Sequence, residues 1–525
     1  DVLPFDTTRF CEIVILTKEE LKAILKKAVT YPNVKYKPSP VIKQMKPEEY
    51  APIAGELYQF KGFYAQARTL RVYPEKAGAL LLGDVGEVTK ALMEKYPEYK
   101  KGDYIGLSGI EKAYENELRG QRGIKYVFRD NLGVERQVAN GTLDVKAIEG
   151  THVVSSIDAE LQKYGEKLLQ NKRGCVVAIE PKTGEILAMV SSPTFDPNLL
   201  LGRARGKNFL ALSRDKQKPL FNRATQAQYR PGSIFKIAQS LTAMQMGAIT
   251  KETRIPCNRA LIGCHGSHSM DDLEMAIVHS CNPYFRGVLQ RVVEGGRVKG
   301  SRNKDAHVGL GLWREQMMKF GFGTNLMTDI PGVKKGMVPS PEYYDRAYGK
   351  ESWNFSTIYS ISIGEGEMLV TPIQMCNLAC IVANRGYYYS PHTVKSVGIG
   401  GKPRPEFLEK HDVGVRSDYF DVVISAMEKV VGPGGTANGA KLQDIVICGK
   451  TGTVQNEPRK DHSVFVCFAP KENPKIALAV YVENCGFGGT WAAPIASLMI
   501  EQYLNGEIKN VEREKHILEQ NFLNQ

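Results

Sequence analysis

The sequence has 525 residues and a formal net charge of +12, with 42% apolar and 24% charged residues. This length exceeds what one ordinary core supports, and the composition excludes a disordered chain, so we expect two or more globular domains. Dense basic tracts and basic stripes with interleaved aromatics are missing, which argues against nucleic acid as a partner. No apolar run approaches the ~20 residues that a membrane helix needs.

The first 150 residues predict a mixed helical and strand region without a catalytic constellation. Apolar spacing predicts a helix over Thr17–Val29, with Thr17 as its N-cap and Glu20 three residues later. Four further elements are predicted, namely a helix over 46–58, a strand over Phe63–Val72, a helix over 106–120 and a hairpin over 126–138 that turns at 131–133.

Polar and glycine residues from Asn140 to Thr151 predict a domain boundary, which we place between residues 145 and 146. Beyond it, Asp158 is expected to cap a helix. Strands are predicted at 175–180, 185–192, 445–450, 462–468 and 475–482, with a helix from Ala492. This order predicts an α+β fold, an antiparallel sheet flanked by helices with an all-helical insertion between Ser233 and about Ala440. Residues 292–305 predict a mobile loop.

One stretch, Tyr229-Arg-Pro-Gly-Ser-Ile-Phe-Lys236, combines a loop with the start of a helix. Pro231 and Gly232 end the loop, so Ser233 is expected at a helix N-terminus. Lys236 follows at i+3, on the same face, where its amine can reach the Ser233 hydroxyl. A serine nucleophile needs an adjacent base, and a lysine with a lowered pKa can serve. Alone, this motif is common and more often describes an N-cap serine beside an exposed lysine.

Two further motifs favour the catalytic reading. Ser280-Cys-Asn282 follows a short helical pattern, and Lys450-Thr-Gly-Thr453 follows an apolar run. Ser-x-x-Lys, Ser-x-Asn and Lys-Thr-Gly in this order are the signature of penicillin-binding proteins and serine β-lactamases. We assign proton relay and amide binding to Ser280 and Asn282, and to Lys450 a charge that lowers the Lys236 pKa. Three residues are assigned to substrate binding, namely Thr451, Gly452 and Thr453.

A cluster of potential metal ligands lies between the first two motifs. Soft ligands at Cys257, Cys264, His268 and Cys281 suit a tetrahedral zinc ion, although their spacing is wider than in a zinc finger. His268 is preferred to His265, because His265 directly follows a ligand. A disulfide between Cys257 and Cys264, or a group of unligated thiols, is the alternative. The chemistry itself needs no cofactor, and zinc would be structural.

The chain resembles the class B penicillin-binding proteins, most closely their elongation-type members in a Bacteroides-like lineage. The likeness covers nearly all of residues 45–500. It is carried by the three motifs and by the stretches 156–162, 177–189, 432–436, 461–466 and 482–489. One departure is Glu365, where the family more often has Gln. Some relatives also place Cys or Asp, a His and a central Cys at positions corresponding to the metal cluster.

This resemblance implies a domain organisation and a function. Residues 1–145 would form a pedestal or dimerisation-like domain with a head around 15–60, and residues 146–525 a transpeptidase domain. The implied enzyme is a D,D-transpeptidase that cross-links peptidoglycan stem peptides through an acyl-enzyme at Ser233 during cell elongation. β-Lactams would acylate the same serine. The oxyanion would be bound by the backbone N–H groups of Ser233 and Thr453, and either Lys236 or Ser280 would be the immediate base.

The resemblance also implies a cellular setting. The chain opens at Asp1 without a signal peptide, and we expect a longer natural protein with one N-terminal membrane helix on the periplasmic face of the inner membrane. The ten cysteines taken alone would favour a reducing compartment. Expected partners are a SEDS-type glycan polymerase and other elongation-complex proteins. The alternatives that remain are a D,D-carboxypeptidase or β-lactamase, a β-lactam sensor, and a non-catalytic scaffold.

Overall fold

The computed structural model of the chain describes residues 4–30, 39–67, 69–129 and 135–523. The chain divides into two compact units, one formed by Asp1–Lys76 with Asp196–Asp215, the other by Ala77–Phe195 with Lys216–Gln525. All three catalytic motifs lie in the second unit. None of the helices in the described residues has the length and apolar character that a membrane crossing requires.

The first unit consists of short helices around a small aromatic core. The Thr17 hydroxyl accepts a hydrogen bond from the Glu20 N–H, and the Glu20 carboxylate accepts one from the Thr17 N–H, which confirms the predicted helix start. The helices span Thr7–Val14, Lys18–Ala28, Pro47–Ala54 and Arg205–Arg214, with 3-10 turns at Leu57–Gln59 and Pro197–Leu200. The core contains Phe10, Cys11, Val14, Leu21, Ile53 and Phe60.

The strand predicted over Phe63–Val72 is wrong. The described residues of this stretch, 63–67 and 69–72, form neither helix nor strand. A strand is stabilised by hydrogen bonds to a neighbouring strand, and none of the strands in the described part of the chain pairs with this stretch. Tyr64 and Val72 are 64% and 66% exposed, so the alternation does not mark a buried face.

The second unit begins with two short antiparallel strand pairs. Val85–Glu87 pairs with Tyr104–Gly106, and Val127–Arg129 pairs with Glu135–Gln137. The latter pair confirms the predicted hairpin, whose turn at 131–133 lies outside the described residues. The single helix predicted over 106–120 is instead two helices, which are separated at Tyr114. Tyr114 is buried, and its hydroxyl donates to Asp329 at 2.9 Å. The helices of this region span Ala79–Leu82, Lys90–Lys95, Gly109–Ala113 and Glu115–Leu118.

A five-stranded antiparallel sheet forms the centre of the second unit and confirms the predicted α+β class. Its strands are β1 (Gly174–Ile179), β2 (Ile186–Ser192), β3 (Cys448–Val454), β4 (His462–Ala469) and β5 (Ile476–Val482), in the order β3-β4-β5-β1-β2. β3 starts later than predicted and contains the Lys-Thr-Gly motif, since Lys450 pairs with Val466 of β4. The motif therefore lies on an edge strand.

Helices bury both faces of this sheet. Successive residues of a strand point to opposite faces, and Val177 and Val176 accordingly belong to different cores. The core on the Val177 side includes the helix Pro372–Ala383, and the core on the Val176 side includes Ala492–Asn505. The remaining helices of this sheet and its insertion span Ala159–Leu168, Lys236–Gln245, Leu273–Val278, Asn282–Val293, Arg302–Lys319, Pro341–Tyr348, Phe355–Ile358, Tyr419–Val431 and Val511–Glu519.

Two predictions for the insertion between Ser233 and Ala440 need correction. The insertion is not all-helical, because it contributes strands to three short pairs, Ile255–Pro256 with Met270–Asp271, Tyr387–Tyr389 with Lys410–Asp412, and Val394–Val397 with Val153–Ser155. The loop predicted as mobile over 292–305 is short and tethered. Its backbone N–H groups at Gly296, Arg297 and Val298 donate to the Asp305 carboxylate at 2.7–3.0 Å.

Candidate active site

The predicted nucleophile, Ser233, lies in a tight turn that leads into a helix. Gly232–Phe235 form a 3-10 turn, and the helix Lys236–Gln245 continues directly from it. Gly232 has a φ of 57°, and its N–H donates to the Gly364 carbonyl at 2.9 Å. Every residue between 231 and 240 is buried except Ser233, which is partly exposed. Ser233 is thus the residue of this turn that a substrate can reach.

The second motif joins two helices through a residue in an unusual backbone conformation. Ser280 has a φ of 55°, in the left-handed region that non-glycine residues rarely adopt. The helix Leu273–Val278 precedes it and Asn282–Val293 follows it, so packed elements on both sides fix this conformation. The Ser280 hydroxyl lies 3.2 Å from the Lys236 amine and 3.0 Å from the Lys450 amine. The structure therefore brings the three motifs together at one hydroxyl.

Lys236 is fully buried and donates to acceptors of the second motif. Its amine lies 2.7 Å from the Ser280 carbonyl oxygen and 2.6 Å from Oδ1 of Asn282. Burial lowers the pKa of Lys236 to about 7. The sequence analysis had assigned this lowering to Lys450, but the dominant cause is desolvation. The charge effect runs in the opposite direction, since burial first and the Lys236 charge second hold the pKa of Lys450 well below its usual range.

The expected contact between Lys236 and Ser233 is not formed in this structure. Among the described residues no hydrogen bond joins the two side chains, because the Lys236 amine is directed at Ser280 and Asn282. Catalytic hydrogen bonds of this kind commonly tighten only in the substrate complex. Phe285 lies beneath the amine, with its ring centre 5.5 Å away, and excludes water from that side.

The Lys-Thr-Gly strand lies directly beside the nucleophile turn. A Cβ atom at Gly452 would lie 3.2 Å from Ile234 and 3.4 Å from the Pro231 carbonyl oxygen. A side chain at Gly452 would therefore be in tight contact with the turn, and the contact of Gly452 with a substrate backbone stays a prediction. The Thr451 hydroxyl lies 2.8 Å from the Thr436 hydroxyl, a contact that the sequence did not predict. Thr453 is partly exposed on the same strand.

Two ion pairs behind the nucleophile turn also escaped the sequence analysis. Glu483 accepts hydrogen bonds from the Tyr229 hydroxyl at 2.8 Å and from Arg223 at 3.1 Å. Arg230 lies 3.4 Å from Glu365, whose pKa burial raises to about 7. Glu483 lies in a stretch that carries the family resemblance and Glu365 is the departure from it, but only their partners, far away in sequence, show what they contact. These contacts anchor Tyr229 and Arg230, the two residues that precede Pro231.

The predicted metal ligands converge. The ligand atoms of Cys257, Cys264, His268 and Cys281 all lie within 4.8 Å of one another, and all ten cysteines are free thiols. Hydrogen bonding from the Cys281 thiol lowers the pKa of Cys264. His265 is exposed and packs edge-on against Phe487, outside this group.

A second potential ligand group adjoins the first through His268. The side chains of His268, Asp271 and His279 also lie within ligand distance of one another. Asp271 lies 3.5 Å from Nε2 of His268 and 3.1 Å from Nδ1 of His279. The sequence analysis missed Asp271 and His279, although their spacing around the helix Leu273–Val278 was visible.

The geometry fits serine acyl transfer. The site combines the partly exposed hydroxyl of Ser233 with two buried lysines, whose amines both contact the Ser280 hydroxyl. Nucleophile activation and leaving-group protonation need such an arrangement. Comparison with known families agrees. Residues 174–501 match the penicillin binding protein transpeptidase domain, and residues 5–155 match the penicillin-binding protein dimerisation domain.

Individual relatives support the same assignment. The chain is 30% identical to the peptidoglycan D,D-transpeptidase MrdA of Acinetobacter baumannii over 86% of this chain and 69% of that protein. The fold is similar to that of a Helicobacter pylori PBP2 in complex with MreC, with a TM-score of 0.78, 23% identity, and coverage of 97% of this chain and 94% of that one.

A peptidoglycan synthase complex that coordinates polymerization and crosslinking contains a similar chain, with a TM-score of 0.74, 25% identity, and coverage of 94% and 86%. The transpeptidase match alone spans more than half of the 525 residues. The chain therefore belongs to the class B penicillin-binding proteins of the MrdA type, the peptidoglycan D,D-transpeptidases.

Proposed function

We propose that Ser233 is the nucleophile that takes the acyl group of a stem peptide ending in D-Ala-D-Ala. Its Oγ forms a bond to the penultimate carbonyl carbon, and the bond from that carbon to the terminal D-alanine nitrogen breaks. The Oγ proton passes to Lys236, directly or through Ser280, and a proton reaches the departing amine. An acceptor amine on a neighbouring stem peptide then forms the cross-link and frees Ser233.

One observation carries this assignment, namely the contact of the Ser280 hydroxyl with both lysine amines, at 3.2 and 3.0 Å. A hydroxyl between two amines can accept a proton from one side while donating one on the other. Burial favours the neutral form of Lys236, the form that can act as a base. Asn282 holds Lys236 through Oδ1 and donates to the Gly263 carbonyl at 2.8 Å, which fixes its orientation.

The Lys-Thr-Gly strand supplies substrate contacts in this proposal. Lys450 and Thr453 would attract the terminal carboxylate. Thr451 would help to bind the same carboxylate, with its hydroxyl held in position by that of Thr436. Backbone N–H groups of Ser233 and Thr453 would stabilise the oxyanion. The side-by-side position of turn and strand supports this, since a Cβ at Gly232 would lie 3.1 Å from the Thr453 carbonyl oxygen.

A donor and acceptor assay tests the proposal. The protein is incubated with a stem pentapeptide donor and an amine acceptor, and D-alanine, hydrolysed peptide and amide product are quantified. We expect D-alanine release with amide formation, and neither product with Ser233→Ala. Release of D-alanine with hydrolysed peptide alone would show a carboxypeptidase instead.

Zinc fits the ligand cluster, and we propose that it is structural. Four ligand atoms within 4.8 Å of one another suit a tetrahedral ion with metal–ligand distances of about 2.0–2.3 Å. Cys257, Cys264, His268 and Cys281 would hold it, and it would supply no step of acyl transfer. Because Cys281 lies between Ser280 and Asn282, the ion would fix both residues.

Elemental analysis of protein purified without chelators tests this site. About one equivalent of zinc is expected, and Cys257→Ser should lower both the zinc content and the rate of penicillin acylation. His265→Ala is the matched control, and should leave both values unchanged. Protein with no zinc, or with a disulfide found by mass spectrometry, contradicts the site.

We further propose the cellular setting that the resemblance implies. The protein would act during elongation, anchored by an N-terminal helix on the periplasmic face of the inner membrane. MreC and a SEDS-type polymerase are its proposed partners, on the strength of the similar PBP2 in complex with MreC and the similar synthase complex. The Bacteroides-like lineage stays a prediction. So does the domain boundary between residues 145 and 146.

A further inference from the structure

Arg286 lies one helical turn after Asn282 of the second motif. Both belong to the helix Asn282–Val293, and residues at i and i+4 share a helix face. The Arg286 guanidinium lies over the ring of Phe355, 4.9 Å from its centre, and 5.8 Å from the centre of the Tyr359 ring. Two aromatic rings thus fix the position of this cation beside the catalytic cluster.

No anion balances this cation within the described residues. Arg286 makes neither an ion pair nor a hydrogen bond with any of them, and its Nε is buried without a partner. Two other arginines of this unit do have carboxylate partners, since Arg230 is paired with Glu365 and Arg302 donates to Glu294 at 2.7 Å. Buried polar groups are normally hydrogen-bonded, so the N–H groups of this partly buried guanidinium are available to an acceptor from outside the chain.

The aromatic residues around Arg286 connect it to the nucleophile. Phe355–Ile358 and the 3-10 turn Tyr359–Ile363 run into Gly364, whose carbonyl accepts the hydrogen bond from Gly232. Tyr359 is 41% exposed, so the site is open to solvent on the side of this ring. Arg286 therefore lies where the helix that carries Asn282 meets the segment that leads to Gly364 and so to the nucleophile turn.

We propose that Arg286 binds an internal carboxylate of the donor stem peptide and is a specificity-determining residue for the reaction. This inference rests on the proposed function, in which Lys450 and Thr453 take the terminal carboxylate. Stem peptides carry further carboxylates, on the second residue and, where it is diaminopimelate, on the third. A guanidinium positioned by two aromatic rings presents its N–H groups in the fork that a carboxylate accepts.

Matched donors test this site. Three pentapeptides are compared, one with both internal carboxylates free, one amidated at the second residue and one amidated at the third. The rate of D-alanine release, expressed as kcat/KM, is measured for the unaltered protein, Arg286→Gln and Arg286→Lys. Arg291→Gln is the control, because Arg291 is an exposed arginine of the same helix.

We expect amidation at one of the two positions to lower kcat/KM about tenfold in the unaltered protein, the value of one charge-assisted hydrogen bond. Arg286→Gln should remove this discrimination, Arg286→Lys should restore part of it, and Arg291→Gln should keep it. Which amidated donor loses activity identifies the carboxylate. Benzylpenicillin, which lacks the internal carboxylates, should acylate Arg286→Gln at the unaltered rate.

Three results would overturn the role of Arg286. They are equal rates for all three donors with the unaltered protein, full discrimination in Arg286→Gln, or an equal loss of penicillin acylation and donor turnover in that variant. A failure of the proposed function looks different, because the unaltered protein would then neither release D-alanine nor react with penicillin.

Discussion

The Ser280 hydroxyl and the Lys450 amine lie 3.0 Å apart, although 170 residues separate them in the chain. Lys450 is fully buried on the edge strand β3, and Ser280 lies at a bend between two helices. The Lys450 amine also donates to the Thr451 carbonyl of its own strand at 2.9 Å, and its contact with Ser280 couples the sheet to the insertion. In the proposed mechanism, proton transfer passes through this contact.

Removal of the Lys450 amine should therefore abolish acylation with little effect on the fold. For Lys450→Met we expect the second-order rate constant of penicillin acylation to fall by at least about a hundredfold, the usual scale for loss of a proton-transfer group. Stopped-flow or gel-based kinetics with a fluorescent penicillin measures it. Lys475→Ala, an exposed lysine next to β5, is the control. An unchanged rate in Lys450→Met would remove Lys450 from the mechanism.

The acylation rate should depend on pH through Lys236. Burial lowers its pKa to about 7, so the neutral amine increases as the pH rises through 7. The rate constant should rise about tenfold per pH unit below 7 and level off above it. Acylation kinetics between pH 5.5 and 9 test this, and a rate that falls with rising pH would contradict a lysine base.

Glu365 complicates this profile, because burial raises its pKa to about 7 as well. The variant Glu365→Gln separates the two groups. If Lys236 is responsible, the inflection near pH 7 persists in Glu365→Gln. If the inflection disappears in this variant, the carboxyl group of Glu365 causes it.

Two substitutions at Ser280 should separate its hydroxyl from its backbone. Ser280→Ala and Ser280→Gly both remove the hydroxyl, and both should lower acylation strongly. Glycine adopts the φ of 55° without strain, so Ser280→Gly should be more stable than Ser280→Ala by about 1–2 kcal/mol. Chemical denaturation of the two variants gives the difference, and equal stabilities would mean that the left-handed conformation stores no strain.

The Tyr229 hydroxyl should contribute to stability through Glu483. Tyr229 stacks on Tyr481 with ring centres 3.8 Å apart, and its hydroxyl donates to the carboxylate at 2.8 Å. Tyr229→Phe keeps the stacking and removes this hydrogen bond, so we expect the free energy of unfolding to fall by about 1–3 kcal/mol. Tyr348→Phe, at a half-exposed tyrosine, should change it little. Similar values for both variants would show that Glu483 gains nothing from Tyr229.

The sequence correctly predicted the strands in which nearly every residue is buried. β1, β2, β4 and β5 were found because both of their faces are covered, so nearly every residue is apolar. The strand expected over Phe63–Val72 failed for the opposite reason, since its alternation faces solvent and none of the strands among the described residues pairs with it. Periodicity shows a pattern of apolar residues but not which surface covers them.

Residue types at the site were predictable, but their contacts were not. The motifs identified Ser233, Lys236 and Ser280, yet the direction of the Lys236 amine toward Asn282 depends on how two helices pack. Glu483 and Arg286 have no local motif, because their significance arises from partners gained, or missing, only after folding.

The nucleophile assignment is tested most directly by mapping the penicilloyl ester. The protein is reacted with benzylpenicillin, digested and sequenced by tandem mass spectrometry, with Ser233→Ala treated in parallel. The predicted result is one adduct per chain, on Ser233, and none on the variant. An ester on any other residue, or a labelled Ser233→Ala protein, would contradict Ser233 as the nucleophile.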